Sequence, residues 1–301
     1  MRIPDWLRLA IQASELDATF AAGAAFAVLD AHVRETRFSA QAWRYRLALG
    51  AAATACRKTG RPEDEAALRD AFLLTRTGDD AGPAGRMLLG WRLLVSTPVD
   101  ELASEDTLGS LIEMCGYRLD GRASDLGDLM KEATGIGQNP LAAAERVYRS
   151  VQRLWPEYEA VIAPWLCDAV VARVLGWSRA VPLFLIAGSA RRDRAQGSYK
   201  PDRGADGSMI ASRYACAALE AVDRAILLER RATRLLQVAP KLRAKGAQGI
   251  VQTLLADDAL MASHAFSNMS DRGLRRLFAR LVSLGAVREL SGRDSFRIYG
   301  L

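Results

Sequence analysis

Four arginines near the C-terminal end, Arg272, Arg275, Arg276 and Arg280, are the residues best placed by type and spacing to do chemistry in this chain. That chemistry is recognition of an anionic polymer. A guanidinium is permanently charged, and its planar fork pairs with guanine O6 and N7 or clamps a phosphate. Leu274, Leu277, Phe278 and Leu281 recur at i, i+3, i+4 and i+7, which predicts a helix with one apolar stripe. At about 100° per residue, Arg272, Arg276 and Arg280 fall opposite that stripe, Arg275 flanks them, and Ala279 and Ser283 fill the gaps. Ser270 is suited to the N-cap and Asp271 to the positive helix start, and Gly285 stands where a left-handed residue would stop the helix. A helix that buries one face and presents arginines among small residues on the other fits a major groove.

A hairpin pattern follows. Ala286–Leu290 and Ser295–Tyr299 read as two strands joined through Ser291-Gly292-Arg293-Asp294, with Phe296 and Ile298 on one face and Arg297 and Tyr299 on the other. Arg293 lies at the tip, where a wing meets backbone or minor groove, and Arg297 flanks it. Upstream, Ala247–Leu255 carries Ile250, Val251, Leu254 and Leu255 and reads as a supporting helix. Asp257–Phe266 reads as a second short helix, and Ser267-Asn268-Met269 as the turn. The order of elements is that of a winged helix-turn-helix. The DNA-contacting set expected from it is Ser270, Arg272, Arg275, Arg276, Arg280, Arg293 and Arg297.

An arginine face is often only a solvated surface, and winged helices also serve as protein–protein modules. Charge placement favours nucleic acid. Residues 241–301 hold ten Lys and Arg against five Asp and Glu, so they account for most of the net charge of +6 of the whole 301-residue chain. Such a concentrated basic excess is the footprint that phosphates require.

The composition, 50% hydrophobic and 25% charged, is that of a folded chain, and strand formers are sparse before residue 286. A mainly α fold is expected, with a multi-helical body over residues 1–240, a possible subdivision near 155 at Leu154-Trp155-Pro156, and the winged module over 241–301. Cys56, Cys115, Cys167 and Cys216 are widely spaced with no CxxC, so each reads as a small core residue and a reducing cytoplasm as the compartment. The N-terminus lacks the apolar run of a signal peptide, and Ala180–Gly188, the longest apolar run considered as a span, is too short to cross a bilayer and reads as a buried helix. With only His32 and His264 present, a histidine-rich metal site is excluded. His32 reads as the polar edge of its helix, and His264 as a structural residue or a phosphate contact. No metal, cofactor or membrane is expected.

Along the body, helices are expected at 14–35, 39–58, from Pro62 through Leu74, and at 84–95, 106–115, 123–134 and 140–154. One or two more are expected within 157–194, and a long one at Ser208–Val238 that Pro240 ends. Gly23 among alanines predicts close helix packing. Arg191 to Ser208 reads as a solvated loop whose Arg191, Arg192, Arg194, Lys200 and Arg203 could meet phosphates. The most unusual loop is Thr75–Arg86, with three glycines, Asp79, Asp80 and Arg86. Glycine-rich loops cradle phosphate and paired aspartates hold Mg²⁺, which makes Asp79, Asp80 and Arg86 the candidate ligand loop. No Gly-Lys-Ser/Thr follows, so it is no P-loop, and a tight turn with Arg–Asp pairs is the simpler account.

The runs Trp43-Arg44-Tyr45-Arg46-Leu47-Ala48-Leu49 and Gly60-Arg61-Pro62-Glu63-Asp64-Glu65 are two parts of a resemblance that spans most of the chain. It continues through Leu73-Leu74-Thr75-Arg76-Thr77-Gly78-Asp79-Asp80 and the ending from Gly285 to Leu301. The chain resembles the bacterial domain-of-unknown-function family 1403, often plasmid-associated, and that likeness assigns no catalytic residue. A weaker similarity to Fic-type proteins fails at the signature, since neither His32 nor His264 is followed by Pro-Phe.

The expected function is binding of double-stranded DNA by a cytoplasmic regulator or replicon-maintenance factor whose body forms a homodimer or senses a ligand. Two alternatives stay open: an enzyme or ligand-binding protein with a site near Gly78–Arg86, and a protein–protein adaptor using the winged module.

Overall fold

Small side chains that let helices approach build much of this core. The computed structural model describes residues 7, 14–35, 37–76, 78–118, 120–135, 139–186, 207–242, 246–262, 269–293 and 295–301. Helix α1 (Glu15–Arg34) buries Ala18, Ala21, Ala22, Ala25, Phe26 and Leu29, and it packs along α9 (Gly207–Val238), which buries Tyr214, Ala215, Ala217, Ala218, Ala221 and Val222. At 1.5 Å per residue, α9 is about 48 Å long and forms the spine of the body.

Between these two lie α2 (Ala40–Lys58), α3 (Glu65–Leu73), α4 (Gly82–Ser96), α5 (Glu105–Met114), α6 (Arg122–Ala133), α7 (Pro140–Leu154) and α8 (Ile162–Val174). Helix α2 packs on α4, α3 on α4, and α7 on α8. Their boundaries follow local chemistry. Asp64 accepts from the N–H of Ala67 at 2.8 Å, Ser104 from Thr107 at 3.3 Å, and Asn139 from Leu141 at 2.9 Å ahead of Pro140. Helix α3 therefore starts at Glu65, after Pro62. Trp43, Trp91, Trp165 and Trp177 are core: Trp91 and Trp165 are fully buried, and Trp165 donates to the carbonyl of Gly90 at 3.0 Å.

Three expectations for the body are corrected. Residues 180–186 are buried but not helical. Asp168 on α8 accepts from the N–H groups of Leu183 (2.9 Å) and Phe184 (3.0 Å) and from the Tyr214 hydroxyl (3.1 Å), which satisfies backbone donors that a helix would otherwise use. Gly23 does not mark a close helix contact, because a methyl group there would meet nothing within 4 Å; tight approaches are at Gly127, where a methyl group would lie 2.7 Å from the Ala103 carbonyl, and at Gly90, where it would lie 3.3 Å from the Cys115 sulfur. Finally, α1, not the run at 180–188, is long and apolar enough by length and composition to cross a membrane, and here it packs on α9 with Asp30 bonded to the Trp177 indole at 2.8 Å. No disulfide joins the four cysteines. The Arg191–Ser208 stretch falls outside the described residues up to 206.

After α9 come α10 (Ala247–Ala256), β1 (Leu260–Met261), α11 (Asp271–Ser283), β2 (Arg288–Glu289) and β3 (Ile298–Gly300). The three short strands form an antiparallel sheet of order β1-β3-β2, with Leu260 opposite Tyr299, Met261 opposite Ile298, and Glu289 opposite Tyr299. The chain is thus mainly helical with a small C-terminal sheet. The second helix expected over Asp257–Phe266 is overturned for 257–262: Asp257 is already extended (ψ 160°), and β1 pairs with β3. Residues 263–268, including His264 and the turn at Ser267-Asn268, lie outside the described residues.

Candidate nucleic-acid interface

Helix α11 is built as its residue pattern requires. The Ser270 hydroxyl accepts from the Gly273 N–H at 3.2 Å, so Ser270 serves as the N-cap. At the other end Gly285 takes a φ of 64°, and the Ala286 N–H donates to the Leu281 carbonyl at 3.0 Å, the six-residue closure of a glycine-terminated helix. Leu274, Leu277, Phe278 and Leu281 are buried, and Phe278 stacks on Tyr299 of β3 with ring centroids 4.3 Å apart. The helix is thereby fixed against the sheet.

Its other face carries Arg272, Arg275, Arg276 and Arg280, all exposed, and none is in an ion pair among the described residues. The two wing arginines are placed differently. Arg293 pairs with Asp70 of α3, and Arg297 donates from Nε to the Arg293 carbonyl at 3.0 Å. The wing is therefore tied to the body. Glu289 shapes its turn by accepting from the N–H groups of Ser291 (2.7 Å) and Gly292 (2.9 Å). Burial works to raise this carboxyl, but those bonds and Arg297 hold it below the usual range. The expected alternation of faces does not hold. Phe296 sits at a φ of 53° and is exposed, whereas Ile298 and Tyr299 are both buried. The left-handed kink breaks the period of two, so Phe296 and Ile298 do not share a face.

Sequence reasoning missed the junction that orients this unit. Arg92 of α4 lies 4.2 Å from the ring centroids of both Tyr45 (α2) and Phe72 (α3), and pairs with Asp257 at 2.8 Å and with Asp258. Arg69 of α3 stands 3.7 Å from Asp258. Arg46 donates to the Leu301 main-chain oxygen at 2.5 Å, Arg231 to the same oxygen at 3.2 Å, and Arg234 to the Leu284 carbonyl at 3.1 Å. Burial pushes the Asp257 carboxyl up to about 6. Burial opposes the charge of Asp258 too, but Arg92, the bond to Asp257, Arg69 and Arg46 together hold its carboxyl below the usual range. The available signal was a lone arginine inside the apolar run of α4 and an Asp-Asp pair directly after an apolar helix.

The candidate ligand loop is a turn. Asp80 accepts from the Gly82 N–H at 3.0 Å, Arg86 stands 3.8 Å from Asp80, and Asp79 and Asp80 are exposed. A cleft of about 530 Å³ lies elsewhere, between α1 and the α7–α8 pair, lined by Phe26, Asp30, Arg34, Pro140, Leu141 and Leu175 among others.

No curated protein and no solved structure matches this chain. One family model does, over residues 1–301, and it is described as a protein of unknown function, DUF1403. The chain belongs to that family.

Proposed function

We propose that this protein binds double-stranded DNA through its C-terminal unit, a winged helix-turn-helix with α11 as the recognition helix, and acts as a transcriptional regulator or a maintenance factor of a mobile replicon. The observation that carries this reading is the face of α11. Arg272, Arg275, Arg276 and Arg280 project from a helix whose opposite face is locked on the sheet, and no acid neutralises them among the described residues. The sheet order β1-β3-β2 supports it, with β1 between α10 and α11 and the β2–β3 pair following α11, since a wing then stands beside the recognition helix. Arginines held this way enter a major groove with their side chains still free to choose base or phosphate.

The test is binding of fluorescent duplex DNA by the full chain across a salt series, comparing random sequence with DNA flanking its own gene. A steep salt dependence with tighter binding to the native flank is expected. A flat response at low salt rejects the reading. One observation favours a second reading, a protein-binding role for the same unit: Phe296 on the wing is 61% exposed. That role predicts loss of partner binding, and unchanged DNA binding, in Phe296→Ser.

A further inference from the structure

Arg44 on α2 is only 7% exposed, and among the described residues it makes no hydrogen bond and no ion pair. It lines a narrow cleft with His32, Val33, Arg37, Ser39, Ala40, Trp43 and Ala225, where there is free room for little more than a water-sized particle. A second guanidinium in that cleft is also incompletely used. Arg37 spends its terminal nitrogens on Glu35 and Glu229, but its buried Nε–H has no acceptor, and neither has the Nε–H of Arg44. Buried donors of this kind cost stability unless something accepts from them.

The cleft also holds the start of α2. Ser39, 5% exposed, is the N-cap, yet its hydroxyl makes no capping bond, and the first turn contains no acid. The positive end of this 19-residue helix is thus left without a side-chain acceptor, although Ser39 is a residue type that supplies one elsewhere, as Ser14 does for α1 and Ser270 for α11. The charges do not balance either. Arg37 has Glu35 and Glu229, but Arg44 meets no carboxylate among the described residues, and the nearby Arg179 repels it. Burial and Arg37 work against a positive charge on His32, with Glu229 opposing them. The Trp43 ring, 5.6 Å from the Arg44 guanidinium carbon, offers the only favourable contact to that charge among the described residues, and it is a weak one.

We propose that this cleft binds a small inorganic anion of single charge, of the chloride class, between Arg37 and Arg44 at the N-terminus of α2. Such an ion accepts from both orphan Nε–H groups, complements the helix start and gives the buried Arg44 guanidinium a counter-charge. The narrow room excludes larger organic acids. This site is separate from the DNA reading and stands without it.

The test is thermal unfolding of the full chain at constant ionic strength, with gluconate exchanged stepwise for chloride. A saturable rise of about 2–4 °C is expected for the native protein. Arg44→Met removes an unpaired buried charge, so it should melt higher than the native protein in gluconate and lose the chloride response. Ser39→Asp builds a fixed carboxylate into the helix start. It should likewise melt higher in gluconate and weaken the chloride midpoint at least ten-fold, and it tests the site even if Arg44→Met fails to fold. No saturable rise in the native protein, which is the result for a cleft that holds only water, overturns the proposal. A rise that persists unchanged in the variants overturns it as well.

Discussion

Arg92 and Asp258 form a buried ion pair across 166 residues of sequence, with the arginine held between the rings of Tyr45 and Phe72. The pair, with Asp257 beside it, ties the C-terminal unit to three helices of the body. A buried arginine with two carboxylates tolerates the loss of neither side. Asp258→Ala leaves Arg92 with a single half-buried partner, and Arg92→Met leaves two adjacent carboxylates facing each other. Each is expected to cost about 3–5 kcal/mol in urea unfolding. The double variant should cost clearly less than the sum, with a coupling of about 1–3 kcal/mol. Additive losses would show that the two side chains stabilise the fold separately.

Asp168 makes the stability depend on pH in the alkaline direction. Burial pushes its carboxyl up to about 8, although the N–H groups of Leu183 and Phe184 and the Tyr214 hydroxyl favour the charged form. In the unfolded chain an aspartate titrates near 4. The folded state therefore holds one more proton than the unfolded state between about pH 4 and pH 8. The stability this proton brings is fully present below pH 4 and is lost as pH rises through 8, at about 1.4 kcal/mol per pH unit. Asp168→Asn keeps an acceptor for the backbone donors and can donate to Tyr214. It should flatten the slope between pH 5 and pH 8 in parallel denaturation series. An unchanged slope would place the titration elsewhere.

Much of this architecture is legible in local pattern, and the parts that are not have a common cause. Ser270, the leucine and phenylalanine stripe and Gly285 mark α11 because capping and periodicity act within a few residues. Asn139 and Pro140 mark the start of α7 for the same reason. Strand β1 is only Leu260 and Met261 in an unalternating apolar stretch, and its state is set by Ile298 and Tyr299 far along the chain. The run at 180–186 is apolar enough for a helix, but Asp168 captures its N–H groups. The anchoring of Arg92 likewise depends on partners brought together only by the fold. Local rules lose wherever a distant group satisfies the backbone or the charge.

The arginine face of α11 gives the most direct prediction for DNA. Arg276→Ala with Arg280→Ala removes two exposed side chains that make no hydrogen bond or ion pair among the described residues, so the melting temperature should hold within about 2 °C. DNA affinity should fall at least ten-fold, and the dependence of log K on log salt should flatten by about one to two units. Affinity unchanged in a folded double variant would mean that α11 does not enter the groove.

The wing gives a prediction of opposite sign. Arg293 is held by Asp70 of α3 and so is drawn toward the body in the free protein, while Arg297 bonds within the wing to the Arg293 carbonyl. A wing that reaches DNA must surrender the Asp70 contact, and the energy of that pair then opposes binding. The pair is partly exposed, so its loss should change stability by less than about 1 kcal/mol. Asp70→Ala should therefore leave unfolding nearly unaltered while tightening DNA binding a few-fold, with a salt dependence steeper by about one ion. Arg293→Ala should weaken binding in the Asp70→Ala background more than in the native one, because only there is the arginine free beforehand. Equal DNA binding by the native protein and Asp70→Ala would show that the wing stays on the body in the complex. The contacts would then come from α11 alone.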